Sequence, residues 1–317
     1  MNRHAKWRVA VVHHGAPTTH TLTLLRQGLH RRGLIEGDNC IVDVSGVEGR
    51  WAQLPGLVEQ LLQGRPDVLV AVGGVAAKSA QQATSRVPIL HAIVLDPLDI
   101  GLTAANVSGI TTFDTDQAQR HLQLLRQLVP SLRRLACLTD PDAPKGQDSR
   151  NPLESQLRSA AAAQGIELIC AALPGTDADL EEVFDTPQLA HVDALIALEV
   201  PRVLQRLGAV ARLAECRRLP MLSPYGLQDG GVVMRGSALL DAIDPLAGAV
   251  AALFCGATVA DQPLQVVRHE RLVVHLGRAQ RIGLKIPASV LDRVTQCIDD
   301  LPSDDVTRWP LPLPSRA

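Results

Sequence analysis

No segment of this 317-residue chain approaches the ~18 consecutive apolar residues of a membrane-spanning helix, so no transmembrane helix is expected. Its 31 lysines and arginines stand against 33 acidic residues and form no run dense enough for a nucleic-acid footprint. The pairs Arg31-Arg32, Arg133-Arg134 and Arg217-Arg218 fall near helix ends, where they complement the helix dipole. Six cysteines, at 40, 137, 170, 216, 255 and 297, contain no Cys-x-x-Cys pair and no Cys/His cluster with zinc spacing. Cys137 and Cys170 fall in strand patterns, and Cys216, Cys255 and Cys297 in helical ones. All read as small buried hydrophobes, and unpaired thiols suit a reducing compartment. Enzyme signatures are missing too: no Gly-x-Gly-x-x-Gly after a strand, no Walker loop, no nucleophile elbow. No catalytic residue, metal or cofactor is therefore expected. Aromatic residues make up 2% of the chain, and Tyr225 is its one tyrosine.

What is present is apolar and periodic. Hydrophobic residues are 46% of the total, and 317 residues exceed the roughly 250–300 at which one core stops growing, so two domains are expected. Val9-Ala10-Val11-Val12 runs into His13-His14-Gly15, Val68 to Val72 into Gly73-Gly74, and Ile89 to Leu95 into Asp96-Pro97. A weaker run, Ile41 to Val44, leads to Ser45-Gly46. Such runs, separated by helical stretches, read as parallel strands buried on both faces. Helices are expected over Thr18 to Arg32, Trp51 to Gln63 and Val75 to Ala83, the first two stopped by Gly33 and Gly64. Val107 to Thr111 closes this alternating unit as a fifth strand.

The alternation then repeats. Helices are expected at Gln117 to Leu128, Leu153 to Gln164, Asp179 to Phe184 and Val203 to Arg217. Strands fall at Leu135 to Leu138, Ile166 to Leu173, Ala194 to Leu198 and Met221-Leu222. Past Gly230-Gly231 come a strand at Val232 to Met234, a helix at Pro245 to Cys255, an extended stretch from Leu264 to Leu276 and a last helix from about Ala288 to Asp300. The expected fold class is α/β: two Rossmann-like lobes with parallel sheets, joined by a multi-strand hinge. The first lobe takes 1–113 plus about 232–262, the second 114–231 plus about 263–300, and 301–317 is a flexible proline-rich tail.

In an open parallel sheet, ligands bind outside the carboxyl ends of the strands, and the candidate site residues are taken from there. Gly73, Gly74, Val75 and Ala76 open a helix whose free N–H groups suit a carboxylate; the alternative is a plain turn where glycine allows close packing. Asp96 ends a buried strand, as partner for a ligand ammonium or as cap of the following turn. His14, Gly15 and Ala16 line the first loop; the adjacent His13 and His14 point to opposite faces of an extended chain, and no further residue completes a metal set. Thr139, Asp140, Glu199 and Tyr225 end strands of the second unit. Tyr225 suits stacking on a ligand, with structural packing as the alternative. Glu199 is a candidate selector for a second positive group.

An ordered set of short motifs adds a resemblance. Leu29-His-Arg-Arg-Gly-Leu-Ile-Glu-Gly-Asp-Asn39 is followed by Glu48-Gly49-Arg50, Leu54-Pro55, Asp67 to Ala71, Gln82-Ala83-Thr84, Val87-Pro88-Ile89 and Asp96-Pro97. Asn106-Val107-Ser108-Gly109, Leu128-Val129-Pro130 and Gly277-Arg278-Ala279 to Ile286-Pro287 continue it. From about Trp7 to Ile298 the chain resembles the ABC-transporter substrate-binding proteins of the tryptophan/tyrosine-import type, a branch of the type I periplasmic binding proteins. The resemblance implies two lobes closing by hinge motion on a small ligand, an amino acid or related amine–carboxylate. It implies no catalysis, a monomer, and an ABC transporter permease as partner if the chain is exported. One departure stands in the Gly73-Gly74-Val75-Ala76 turn, where the family usually carries a hydroxyl side chain.

The resemblance implies a periplasmic location. Met1 to Val12 holds no apolar stretch of the ~7–15 residues a signal peptide needs, so the chain as written reads as cytoplasmic. A ligand-sensing or orphan binding domain of the same fold, without a transporter, is the alternative reading.

Overall fold

The computed structural model describes residues 6–13, 19–47, 50–141, 151–173, 180–224, 230–237 and 239–299. His14, Gly15, Ala16, Tyr225 and the 301–317 tail lie outside the described residues. The chain begins β1 (Trp7–His13), α1 (Thr19–His30), β2 (Cys40–Gly46), α2 (Leu54–Gln63), β3 (Val68–Val72), α3 (Gly74–Ala83), β4 (Ile89–Ala92) and β5 (Val107–Thr111). It continues α4 (Gln117–Leu128), β6 (Arg134–Thr139), α5 (Pro152–Ala163), β7 (Glu167–Ala172), α6 (Leu180–Phe184), β8 (Ala194–Ala197), α7 (Pro201–Gln205), α8 (Leu207–Cys216), β9 (Met221–Pro224) and β10 (Val233–Gly236). The last part runs α9 (Ile243–Phe254), β11 (Gln265–Val266), β12 (Arg271–His275), α10 (Leu276–Ile282), α11 (Ala288–Leu291) and β13 (Gln296–Ile298).

Two compact units result. The first comprises Met1–Asp114, Pro144–Pro152 and Leu239–Arg268; the second comprises Thr115–Ala143, Leu153–Ala238 and His269–Ala317.

The first unit holds a six-stranded sheet in the order β11-β5-β4-β3-β1-β2, parallel throughout. Side chains alternate between its faces. Val9, Val11, Val68, Val70, Val72, Leu90 and Ala92 pack with Leu25 and Leu29 of α1 and Ile243, Leu246 and Val250 of α9. Ala10, Val12, Leu69, Ala71 and Ile89 face the other way, onto Leu54 and Val58 of α2 and Ala76, Ala77 and Ala80 of α3. Each fully buried leucine or valine contributes about 1.5–3 kcal/mol of transfer free energy, which fixes the strand register against slippage. α1 and α9 approach closely at Gly28, where an added Cβ would stand 2.7 Å from the Ala247 Cβ. Beside that crossing, Arg32 holds both oxygens of Asp244 at 2.9 and 3.1 Å, and Arg31 reaches the same carboxylate at 2.6 Å.

The second unit holds a seven-stranded sheet, β13-β12-β10-β9-β8-β6-β7, parallel except for the β10–β12 pair. Its centre is the buried run of Leu135 to Leu138, with Leu195, Ile196, Leu222, Val233 and Val274.

Several boundaries differ from the sequence reading, each for a local reason. Val233–Gly236 lies in the second unit, because it pairs with β9 and β12 rather than returning to the first sheet. Gln265–Val266 pairs with β5 of the first sheet, so the change of unit falls after Arg268 and not near 263. β4 ends at Ala92, since Ile93 takes φ 57° and breaks the extended run. The expected helix over 203–217 is two helices, interrupted at Arg206 (φ −115°, ψ 11°). The expected last helix stops at Leu291; Thr295 then exchanges hydrogen bonds with Leu272, and Gln296–Ile298 adds a strand. Cys297 is thus in a strand, and Cys216, Cys255 and Cys297 are exposed rather than buried.

Candidate functional site

In the first sheet, β1 and β3 are neighbours whose following helices go to opposite faces. The crevice at their carboxyl ends is where a doubly wound sheet binds ligands. His13, the last residue of β1, is in register with Val72, the last of β3. Directly after Val72 the chain turns at Gly73, with φ 95° and ψ 152°, a conformation open to glycine and strained for any other residue. The Gly73 N–H donates to the Ala92 carbonyl, and its own carbonyl accepts from Ala77, so α3 starts directly off the strand. No side chain caps this helix. The first-turn N–H groups of Gly74, Val75 and Ala76 have no intrahelical acceptor, and together with the helix dipole they favour a negative group.

Asp96 stands beyond the adjacent β4, half-buried, with φ 31°. Its Oδ1 accepts the Asp99 N–H at 3.1 Å, which caps the 96–99 turn. Lys78 and Gln81 of α3 donate to the carbonyls of Ile100 and Gly101 at 2.7 and 2.8 Å and tie that turn to the helix. The structure therefore brings the helix start and the Asp96 carboxylate to neighbouring strand ends of one unit. His14, Gly15 and Ala16 are outside the described residues, so only His13 of that loop is placed.

In the second sheet the corresponding neighbours are β6 and β8. Thr139 ends β6, with its hydroxyl donating to Ala171 at 3.4 Å. Asp140, next along, has a wholly inaccessible side chain. Its Oδ2 accepts the backbone N–H of Arg202 at 3.0 Å, and the Arg202 guanidinium lies 3.5 Å from Oδ1. Arg202 also donates to the Leu173 carbonyl at 3.1 Å. Asp140 thus fastens the start of α7 to the end of β6, a partner that the sequence reading did not anticipate.

Glu199 follows β8 and is buried. Gln117 Nε2 of α4 donates to its Oε1 at 3.3 Å. Burial pushes the Glu199 carboxyl up to about 7, with the Gln117 bond opposing. Gln117, His121 and Glu199 line a cavity of about 10 Å³, the size of one water, closed by Leu153, Leu157 and Pro224. Burial, then the charges of Arg235 and Arg120, push His121 down to about 3, and its Nε2 has no hydrogen-bond partner. A neutral imidazole and a carboxyl poised near neutrality form a hydrogen-bonding wall there, not a fixed charge. Gln117 and His121 carried no strand-end signal, because they come from a helix that the topology lays against β8. Among the described residues, no group of three or more His, Cys, Asp or Glu side chains is disposed to hold a metal, and no helix is long and apolar enough to cross a membrane.

Two doubly wound parallel sheets of this kind define the type I periplasmic-binding-protein class. The chain belongs to the ABC transporter substrate binding protein family, whose model matches residues 8–298. It is similar to a conserved domain protein from Vibrio cholerae, with a TM-score of 0.81 and 24% identity over 92% of this chain and 99% of that one. An ABC domain from Streptococcus pneumoniae, solved in complex with L-Trp, matches with a TM-score of 0.77 and 20% identity over 93% of this chain and all of its own. At these identities the likeness concerns the fold. A tyrosine-binding protein of Clostridioides difficile is 25% identical over 118 residues, which span 35% of this chain and about a third (34%) of that relative. The family is one of solute-binding proteins, not enzymes.

Proposed function

We propose that the chain captures a small amine–carboxylate, an amino acid or close relative, with residues at its strand ends, and delivers it to a membrane transporter. The observation that carries this reading is a complementary pair in the first unit. The uncapped start of α3 suits a carboxylate, and the Asp96 carboxylate on the neighbouring strand end suits an ammonium. Relatives named for tyrosine and bound to L-Trp support the same ligand class. Family membership supports an ABC permease as the partner and an extracytoplasmic place of work. Thr139 and Glu199 are the strand-end candidates of the second unit considered by itself, where Asp140 fastens the start of α7.

The test is a thermal-shift screen of ligand-stripped protein against amino acids, nucleosides and short organic acids. A ligand at 100 times its dissociation constant adds about 2.7 kcal/mol, so one amino-acid class should stand out. Asp96→Asn keeps the turn cap and removes the charge. It should weaken that ligand more than tenfold by calorimetry, whereas unchanged affinity would remove Asp96 from the site.

A further inference from the structure

The six cysteines are not alike. Cys137 of β6 and Cys170 of β7 are register partners in adjacent parallel strands. Paired residues of this kind project to the same face, and their Cα atoms stand about 4.8 Å apart, inside the ~4.4–6.8 Å range that disulfides span. The face is the one covered by α5, since Glu154 and Arg158 of that helix reach Cys170. Arg158 Nη2 lies 3.2 Å from the Cys170 sulfur and 2.9 Å from Glu154 Oε1. Cys137 is fully buried, while Cys170 is half-buried on the edge strand of the sheet.

We infer that Cys137 and Cys170 form a reversible dithiol–disulfide site, oxidised by exchange with a disulfide donor that reaches Cys170 from the sheet edge. The chemistry divides between the two sulfurs. The neighbouring Cys137 draws the Cys170 thiol below its ordinary value, with the Arg158 charge helping against burial and Glu154. Burial, then the neighbouring Cys170, holds the Cys137 thiol protonated. Cys170 is therefore the attacking thiolate and Cys137 the resolving thiol. The Cys170 thiolate attacks the donor R–S–S–R, forms Cys170–S–S–R and releases RS⁻. Cys137 then gives its proton to RS⁻ or solvent and attacks the Cys170 sulfur, releasing a second RS⁻. Two protein thiols are oxidised by two electrons, and one donor disulfide is reduced to two thiols. The product joins the edge strand β7 covalently to β6.

The experiment equilibrates the full chain with mixtures of oxidised and reduced glutathione, quenches in acid, alkylates in denaturant and maps peptides without reduction. The expected result is a linked Cys137–Cys170 peptide pair that disappears on raising reduced glutathione. Cys137→Ser should leave glutathione trapped on Cys170, and Cys170→Ser should leave Cys137 unmodified. The inference is overturned if both thiols are recovered alkylated under oxidant that has glutathionylated the exposed Cys216, or if Cys137→Ser carries no glutathione on Cys170.

Discussion

Glu199 and His121 border the same small cavity and meet burial in opposite ways. The folded carboxyl keeps its proton up to about 7, against 4.5 when unfolded. Its contribution is full below 4.5 and is lost as pH rises through 7. The folded His121 imidazole stays neutral down to about 3, against 6.5 unfolded, so its contribution is present above 6.5 and lost as pH falls through 3. His91, buried in β4 and pushed down to about 4 by burial, behaves likewise. Between 4.5 and 6.5 the histidines oppose the glutamate, so only a difference isolates it. Relative to wild type, Glu199→Gln should gain up to ~3 kcal/mol as pH is raised from 4.5 to 7, read from urea midpoints. Parallel curves for the two proteins would mean that Glu199 is not held neutral by burial. None of this was legible in the sequence: Glu199 was identified as a strand-end residue, but its hydrogen-bond partner Gln117 and its cavity neighbour His121 belong to a helix whose packing is set by the sheet order.

At the scale of elements, the α1–α9 crossing depends on bare backbone at Gly28. Gly28→Val drives a branched side chain onto Ala247, whose Cβ is fixed to its own helix, and should cost about 1–3 kcal/mol in urea denaturation. The ion pairs beside it matter less. The Asp244 side chain is 54% exposed, so solvent screens its contacts with Arg31 and Arg32 although they hold its carboxyl down to about 2. Asp244→Asn should cost less than about 1 kcal/mol, and less still in high salt. The elements themselves were largely readable: Val107–Thr111 and Gln117–Leu128 fall where periodicity puts them. The misreadings cluster where local pattern is weakest. Leu264 to Leu276 alternates like one strand, yet it is split between two sheets, because strand partnership is a long-range choice. The segment after Leu291 has helical composition but is captured by β12.

For the whole molecule, alternation of apolar runs with helices was enough to predict two doubly wound units, and family membership agrees. The site was legible only as a set of strand ends. Gly73 and Asp96 fall at neighbouring ends of one sheet, but Asp140 faces Arg202, a partnership that sequence spacing across 62 residues did not suggest. The proposed function is selective capture of one small amine–carboxylate per chain. Calorimetric titration of the ligand-stripped protein with the amino acids tests it most directly. Saturable one-to-one binding, roughly micromolar or tighter, is expected for one amino-acid class, lost when either its carboxylate or its ammonium is blocked. Absence of binding by every amine–carboxylate, or equal binding of ligands lacking both groups, would contradict it.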